Sequence, residues 1–233
     1  MDHKAFHGGS TTWWPPSGDL VFLYKANPLR FEYFDRFIES WKDVKVLDVG
    51  CGGGYACEFL ARRGAVVFGT DIMEESLHEA ANHAAHENLK IEYDLCTDER
   101  LPFSDQTMDA VTCVDVLEHI PNKDQTISEI YRVLKPGGWF FFDTFNKTFC
   151  SRFFIIWLGE VLLRFMPRGT HYWTFFIRPD DLKLLLEKAG FTTVEFAGIK
   201  LTKCGQKKSD FPVIISPKGT TTIIYFGAVR KPI

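Results

Sequence analysis

The chain has little net charge: 27 Lys and Arg against 30 Asp and Glu leave a balance of −3 over 233 residues. That argues against nucleic acid, or an anionic surface, as a partner held by bulk electrostatics. Its six cysteines, at 51, 57, 96, 113, 150 and 204, include no C-x-x-C pair. They read as small buried hydrophobes kept reduced, so a cytoplasmic setting is expected. Residues 1–10 are polar and lack the apolar core of a signal peptide, so no export is expected. The most apolar stretch, 149–168, is interrupted by charge and too short to cross a bilayer comfortably. What the chain does have is aromatic residues, 15% of the total, which suits a large apolar ligand or an apolar contact surface. At 45% hydrophobic and 24% charged, the composition is that of a globular protein, and the length suits one α/β domain with appendages.

The remaining elements are organised around Lys45-Val-Leu-Asp-Val-Gly-Cys-Gly-Gly-Gly54. Val46, Leu47 and Val49 give a short apolar strand, four glycines give a turn, and 56–62 restores a helical pattern. Glycine there admits backbone dihedrals that a Cβ forbids, and a ligand can lie against bare main chain at a helix start. Tyr55 stands where a dinucleotide fingerprint wants glycine or alanine, and Asp48 precedes the first glycine; both disfavour NAD. An acid there suits a ligand with a cationic amino group, and S-adenosylmethionine (SAM) carries an α-ammonium. Asp71, followed by Ile72, ends the next strand, where a carboxylate accepts from both ribose hydroxyls. An NAD site or a purely structural βαβ unit is the competing reading.

Strands are expected near 44–49, 66–70, 91–95, 109–114, 138–144, 191–198 and 220–229, with helices near 54–63, 74–87, 123–134 and 179–189. Strand and helix in alternation predict a parallel sheet covered on both faces, seven strands in all. Before it, 20–26 and 31–41 read as helices broken at Pro28, and Trp13-Trp14 as either a packed cap or a substrate wall. The expected organisation is a helical cap and arm over 1–43, then a domain over 44–233 with a hydrophobic helical insertion near 149–176.

These motifs together resemble the class I SAM-dependent methyltransferases, a Rossmann-like fold, and more closely the ubiquinone-biosynthesis O-methyltransferase (UbiG-type) family. The resemblance rests on Trp13-Trp14, Asn27-Pro28-Leu29-Arg30, Val46 to Gly54, Thr112 to Pro121 with its Leu-Glu-His-Ile core, Lys135-Pro136-Gly137-Gly138, Thr144-Phe145-Asn146 and Pro167-Arg168-Gly169-Thr170-His171. It implies SAM at the carboxyl ends of the first strands and methyl transfer to a phenol or catechol oxygen of a quinone precursor with a prenyl tail. It further implies contacts from Arg30 to the SAM carboxylate, from Gly50 and Gly52 to the methionine and ribose region, from Asp71 to the ribose diol, and from Val114 to the adenosyl group. Relatives place an acid against the adenine amino group where Thr97 stands here, with Asp98 one residue later. Alternative substrates are a polyketide or other small metabolite, and a SAM binder without catalysis is a further alternative. No Asn/Asp-Pro-Pro-Tyr follows the fourth strand, so nucleic acid is not an expected acceptor.

Asp115, Glu118 and His119 follow the fourth strand at the edge where catalytic groups collect. Two carboxylates and an imidazole there suit a divalent ion such as Mg²⁺. The competing readings make His119 a general base, or leave Glu118 and His119 capping local backbone. In the UbiG-type pattern glutamate stands where Asp115 does. Over 149–168, Arg152, Glu160 and Arg164 mark one polar stripe on an otherwise apolar helix. That helix reads either as a lid over an apolar channel or as a peripheral membrane contact.

Overall fold

The computed structural model describes residues 13–16, 20–97, 100–163, 168–202 and 212–233. Helix α1 (Leu20–Phe34) leads into strand β1 (Lys45–Val49), helix α2 (Tyr55–Ala61), strand β2 (Val66–Asp71), helix α3 (Glu74–His86) and strand β3 (Ile91–Leu95). The chain then returns as strand β4 (Met108–Cys113), helix α4 (Lys123–Val133) and strand β5 (Leu134–Phe145). One turn of helix, α5 (Phe149–Ser151), runs straight into a π-helix (Arg152–Leu162). Helix α6 (Pro179–Ala189) and strands β6 (Thr192–Leu201), β7 (Val213–Ser216) and β8 (Ile224–Arg230) complete the described fold.

The sheet order is β3-β2-β1-β4-β5-β8-β6-β7, parallel from β3 through β5 and antiparallel at β8. Eight strands stand where seven are expected. The extra one, Val213 to Ser216, is a β-branched run inside what reads as a loop, and it pairs with the outer edge of β6.

Period-two alternation divides the sheet between two cores. Leu47, Val49, Val111, Phe140 and Phe142 face α4 and α6, whereas Val46, Ala110, Phe141 and Phe226 face α1 and α2. Fully buried Phe141 stacks on Phe34 at 4.9 Å, so truncating it to alanine removes about 3–5 kcal/mol. Asp48, on the second face with Val46, is the one buried polar side chain of β1.

Two helices depart from expectation. Pro28 does not break the N-terminal helix: α1 continues through it and ends at Phe34, with Trp41 beyond the helix and bonded to Asp35. In the insertion, Glu160 is not part of a solvated stripe but is buried, while Phe149, Phe153, Phe154, Trp157 and Leu162 are exposed. Arg164 lies outside the described residues, as do 1–12 and Asp98. Among the described residues no helix is long and apolar enough to cross a membrane.

β2 and β3 lie to one side of β1 and β4 to the other, so consecutive chain segments leave in opposite directions. In such sheets the crevice opens beyond the carboxyl ends at that divergence. Gly50, Asp71 and Val114 stand at those ends.

Candidate active site

At the end of β1 the turn is held by neighbouring main chain. The Thr70 carbonyl accepts from Gly50 N–H at 2.8 Å and from Cys51 N–H at 2.9 Å. Asp71 completes the frame: Oδ2 accepts from Gly52 N–H at 2.8 Å and Oδ1 from Met73 N–H at 2.9 Å. Gly50 and Gly52 have φ of 72° and 52°, the left-handed region that costs a Cβ-bearing residue. Yet much of the bare main chain at this turn serves the protein itself. A Cβ on Gly53 would lie 2.2 Å from the Trp13 indole and one on Gly52 2.5 Å, while one on Gly50 would meet Val116 at 2.5 Å.

Trp13 and Trp14 thus pack as a cap. The buried Trp13 indole donates to Ser76 at 3.1 Å, and its carbonyl accepts from the Tyr55 hydroxyl. Trp14 donates to the Gly53 carbonyl at 2.8 Å and stacks on His83 at 3.6 Å. Half-buried Val114 and exposed Ile72 flank this edge.

Asp48 lies beneath the turn rather than in it. Its oxygens accept from Thr112 Oγ1 at 2.6 Å and contact Cys57 Sγ at 3.5 Å, and the side chain is 1% exposed. Burial pushes its carboxyl up to about 6, against the pull of those bonds and of Arg30. Both oxygens thus already meet protein partners beneath the turn.

Arg30 joins the two halves of the edge. Nη2 donates to Asp115 Oδ2 at 2.6 Å and Nη1 to Asn27 at 3.1 Å. Nε lies 3.0 Å from Asp143 Oδ2, an ion pair without hydrogen-bond alignment. Burial opposes the guanidinium charge, but Asp115 and Asp143 outweigh it and hold its pKa above the ordinary range. Asp143, wholly buried, is pushed up to about 7 despite Arg30, and it accepts Asp115 N–H at 2.8 Å. Asp115 sits at φ 58°, an unusual conformation that this network stabilises.

Asp115 is thereby turned toward Arg30 and is not among the groups that meet Glu118 and His119. The third member there is His171: ligand atoms of Glu118, His119 and His171 all lie within 4.8 Å of one another. The two imidazole rings are 4.9 Å apart. Glu118 accepts from Thr144 Oγ1 at 2.9 Å, and burial, reinforced by Asp115 and Asp143, pushes its carboxyl up to about 8. Glu160 Oε1, from the π-helix, receives both His171 N–H and Nδ1 at 2.8 Å, while Oε2 receives Gly169 N–H at 2.8 Å. Phe145 and Phe176 stand around His171 at 5.3 Å and 6.2 Å. A groove of about 360 Å³ shares Phe176 and adds Lys123, Lys147 and Phe175. Sequence spacing missed His171 and Glu160: they come from segments far from His119, and Glu160 reads as surface until the π-helix turns it inward.

Residues 47–142 match the family model of a methyltransferase domain. A ubiquinone biosynthesis O-methyltransferase of Bordetella avium (strain 197N) is 36% identical over 227 residues, 97% of this chain and 91% of that protein. Another, from Coxiella burnetii (strain RSA 493 / Nine Mile phase I), is 38% identical over 187 residues, 80% of each. Among solved structures, a possible histamine N-methyltransferase from Thermotoga maritima superposes with a TM-score of 0.65 at 18% identity, covering 90% of this chain and 92% of that one. The cyclase SpnF gives 0.66 at 20% identity, covering 99% and 92%. These two likenesses carry the fold alone.

Proposed function

The chain belongs to the ubiquinone-biosynthesis O-methyltransferase family of class I SAM-dependent methyltransferases, and on that premise we propose that it methylates a phenol or catechol oxygen of a quinone precursor bearing an apolar tail. What carries this reading is a single sheet edge that sets a glycine turn and Asp71 beside a cluster of buried Glu118, half-buried His119 and buried His171 with aromatic walls. In it Asp71 receives the ribose hydroxyls, Gly50 and Gly52 face the methionine and ribose region, and Val114 and Ile72 flank the adenosyl group. Arg30 holds the SAM carboxylate through the second N–H on each of its Nη atoms. Residues 1–43 are the cap and arm, the described part from Trp13 on covering that edge, and 44–233 the methyltransferase domain with the insertion near 149–176.

In the transfer, the acceptor oxygen attacks the sulfonium methyl in line. The new O–C bond forms as the S–C bond breaks, leaving S-adenosylhomocysteine and an aryl methyl ether. SAM is already activated, so the protein's part is to align the two ligands and remove the phenolic proton. His119, next to Glu118 on the same turn, is placed to take it. The alternative is a dication held at Glu118 and His119, which would stabilise the developing phenolate with His119 as its ligand rather than as the base.

Phe149, Phe153, Phe154 and Trp157 give the insertion an exposed apolar face, which supports contact with a tailed substrate and with the membrane that holds it. The test is incubation with methyl-labelled SAM and a panel of catechols with and without tails. Label is expected in an aryl ether, with tailed acceptors preferred. SAM binding without transfer to any catechol would favour the binder reading, and transfer to an unrelated small molecule would move the substrate class.

A further inference from the structure

We infer that His83 is a positioning residue for the cofactor end: acting through Trp14, it holds the Trp13–Trp14 cap on the glycine turn and keeps that turn in the shape that binds SAM. The inference goes beyond the transfer chemistry above and rests only on SAM lying at that turn.

A buried carboxylate without a part in the transfer is the first argument. Glu58 stands on α2, one helical turn after the last glycine, and is 2% exposed. Its Oε1 lies 2.6 Å from His83 Nδ1, and its Oε2 accepts from Arg62 Nη2 at 3.1 Å. Paired with that cation the carboxylate only accepts, so Nδ1 is the protonated nitrogen of His83 and the ring is held in one orientation.

The second argument is what that orientation presents. The imidazole stacks on the Trp14 indole at 3.6 Å between centroids, with the two planes within 5° of parallel. Tyr55 and Tyr24 meet the indole edge-on at 4.7 Å and 5.8 Å, and its Nε1 donates to the Gly53 carbonyl at 2.8 Å. A flat stack sets the tilt of the indole, and with it the direction of the bond to Gly53.

The third is the placement of α3. Ser76, Glu79 and His83 fall at i, i+3 and i+7, which is one face of a helix. Ser76 Oγ accepts from Trp13 Nε1 at 3.1 Å, and Glu79 Oε2 from the Trp13 backbone N–H at 2.6 Å. The same helix starts beside Asp71, whose Oδ1 accepts from Met73 N–H at 2.9 Å. One helix face therefore holds both tryptophans, and its beginning is tied to the acid that frames the turn. A run of glycines is conformationally free, and a clamp from α2 and α3 removes that freedom before any ligand arrives. Such preorganisation raises affinity without a contact to the ligand. Releasing His83 should thus cost SAM binding and spare the transfer step.

The test is calorimetry of SAM binding on folded variants, with folding checked by circular dichroism. His83→Ala and Trp14→Leu should each weaken SAM binding roughly 5- to 10-fold. The double variant should be weaker than the worse single one by less than about twofold, because both changes remove the same stack. His83→Phe restores a ring against Trp14 and should return affinity to within about threefold of the parent. His78→Ala, exposed on the same helix, should leave affinity unchanged. With the catechol best methylated in the panel above, KM for SAM should rise in His83→Ala in step with the weaker binding, while kcat stays within about twofold. Unchanged SAM affinity in folded His83→Ala, fully additive losses in the double variant, or a kcat that falls as far as the affinity would overturn the inference. If His83→Ala does not fold, His83→Gln, which keeps a donor for Glu58 but offers no ring, must show the same loss. Failure of the parent to bind SAM would sink the cofactor reading and this inference with it, whereas the predicted losses with no catechol ever methylated would sink the acceptor reading alone.

Discussion

The two ends of the crevice are built in opposite ways. At the cofactor end, neighbours in sequence do most of the work: Gly50 to Gly54 follow β1 directly, and Asp71 closes the turn from the adjacent strand. At the acceptor end, Glu118 and His119 acquire their surroundings from Thr144, Glu160 and His171, on three later segments. The cofactor end is a local motif with a cap laid over it; the acceptor end exists only once the insertion has folded. A turn fixed by main-chain bonds tolerates little change, whereas a pocket closed by a π-helix changes shape whenever that helix does.

Arg30, at the junction, offers the sharpest way to break the comparison. Arg30→Met leaves Asp115 and wholly buried Asp143 without their cation, and should lower unfolding free energy by about 3–5 kcal/mol in chemical denaturation. The exposed Arg36–Glu195 pair is the control: Arg36→Met should cost less than about 1 kcal/mol. Equal losses in the two variants would show that the junction is no more than another surface pair.

Asp71→Ala should act on the cofactor end alone. Loss of its charge-assisted bonds is expected to weaken SAM binding by about 2 kcal/mol, roughly thirtyfold, in calorimetry. Unchanged affinity in a folded variant would refute the ribose role.

The same contrast explains what could be read before the fold was known. The parallel sheet follows from alternating apolar strands and helices, and the turn from Val46 to Gly54 is contiguous, so both are visible in one dimension. The partnership of His171 with His119 is not, because nothing in spacing relates residues on separate segments. Glu160 carried a misleading signal. A four-residue period with Arg152 and Arg164 reads as a solvated stripe in an α-helix, and the wider π-helical turn carries Glu160 inward. Pro28 misled in the other direction: it reads as a helix break, yet the helix runs through it. Val213 to Ser216 is too short to stand out from its loop, and only the open edge of β6 makes it a strand.

A pH experiment separates the ends further. Asp48 has its folded-state pKa raised from 3.8 to about 6, so between those values the folded chain holds a proton that the unfolded chain has released. Its contribution to stability is therefore present below the lower value and is lost as pH rises through about 6. Asp48→Asn should make that part of the ligand-free protein's stability profile shallower, while Asp143 and Glu118, raised to about 7 and about 8, keep their share of the fall there and carry it to higher pH. A profile identical to the parent would place Asp48 in a hydrated rather than a buried setting.

The smallest effect on stability is expected in the insertion. Phe153 and Trp157, each about half exposed, stack on one another at 5.0 Å. Phe153→Asp with Trp157→Asp should change unfolding free energy by less than about 0.5 kcal/mol and leave SAM binding intact. The same double variant should lose weak binding to anionic vesicles and methylate only untailed catechols well. Unfolding of the variant, with no vesicle binding by the parent, would make this face ordinary core.

The division of the crevice is tested most directly by a crystal structure with S-adenosylhomocysteine and a catechol bound together. The ribose hydroxyls should lie on Asp71, the homocysteine sulfur over the Gly50 turn, and a catechol oxygen in line with it beside Glu118, His119 and His171. A ribose directed away from Asp71, or a catechol outside the Glu118–His119–His171 cluster, would contradict the account.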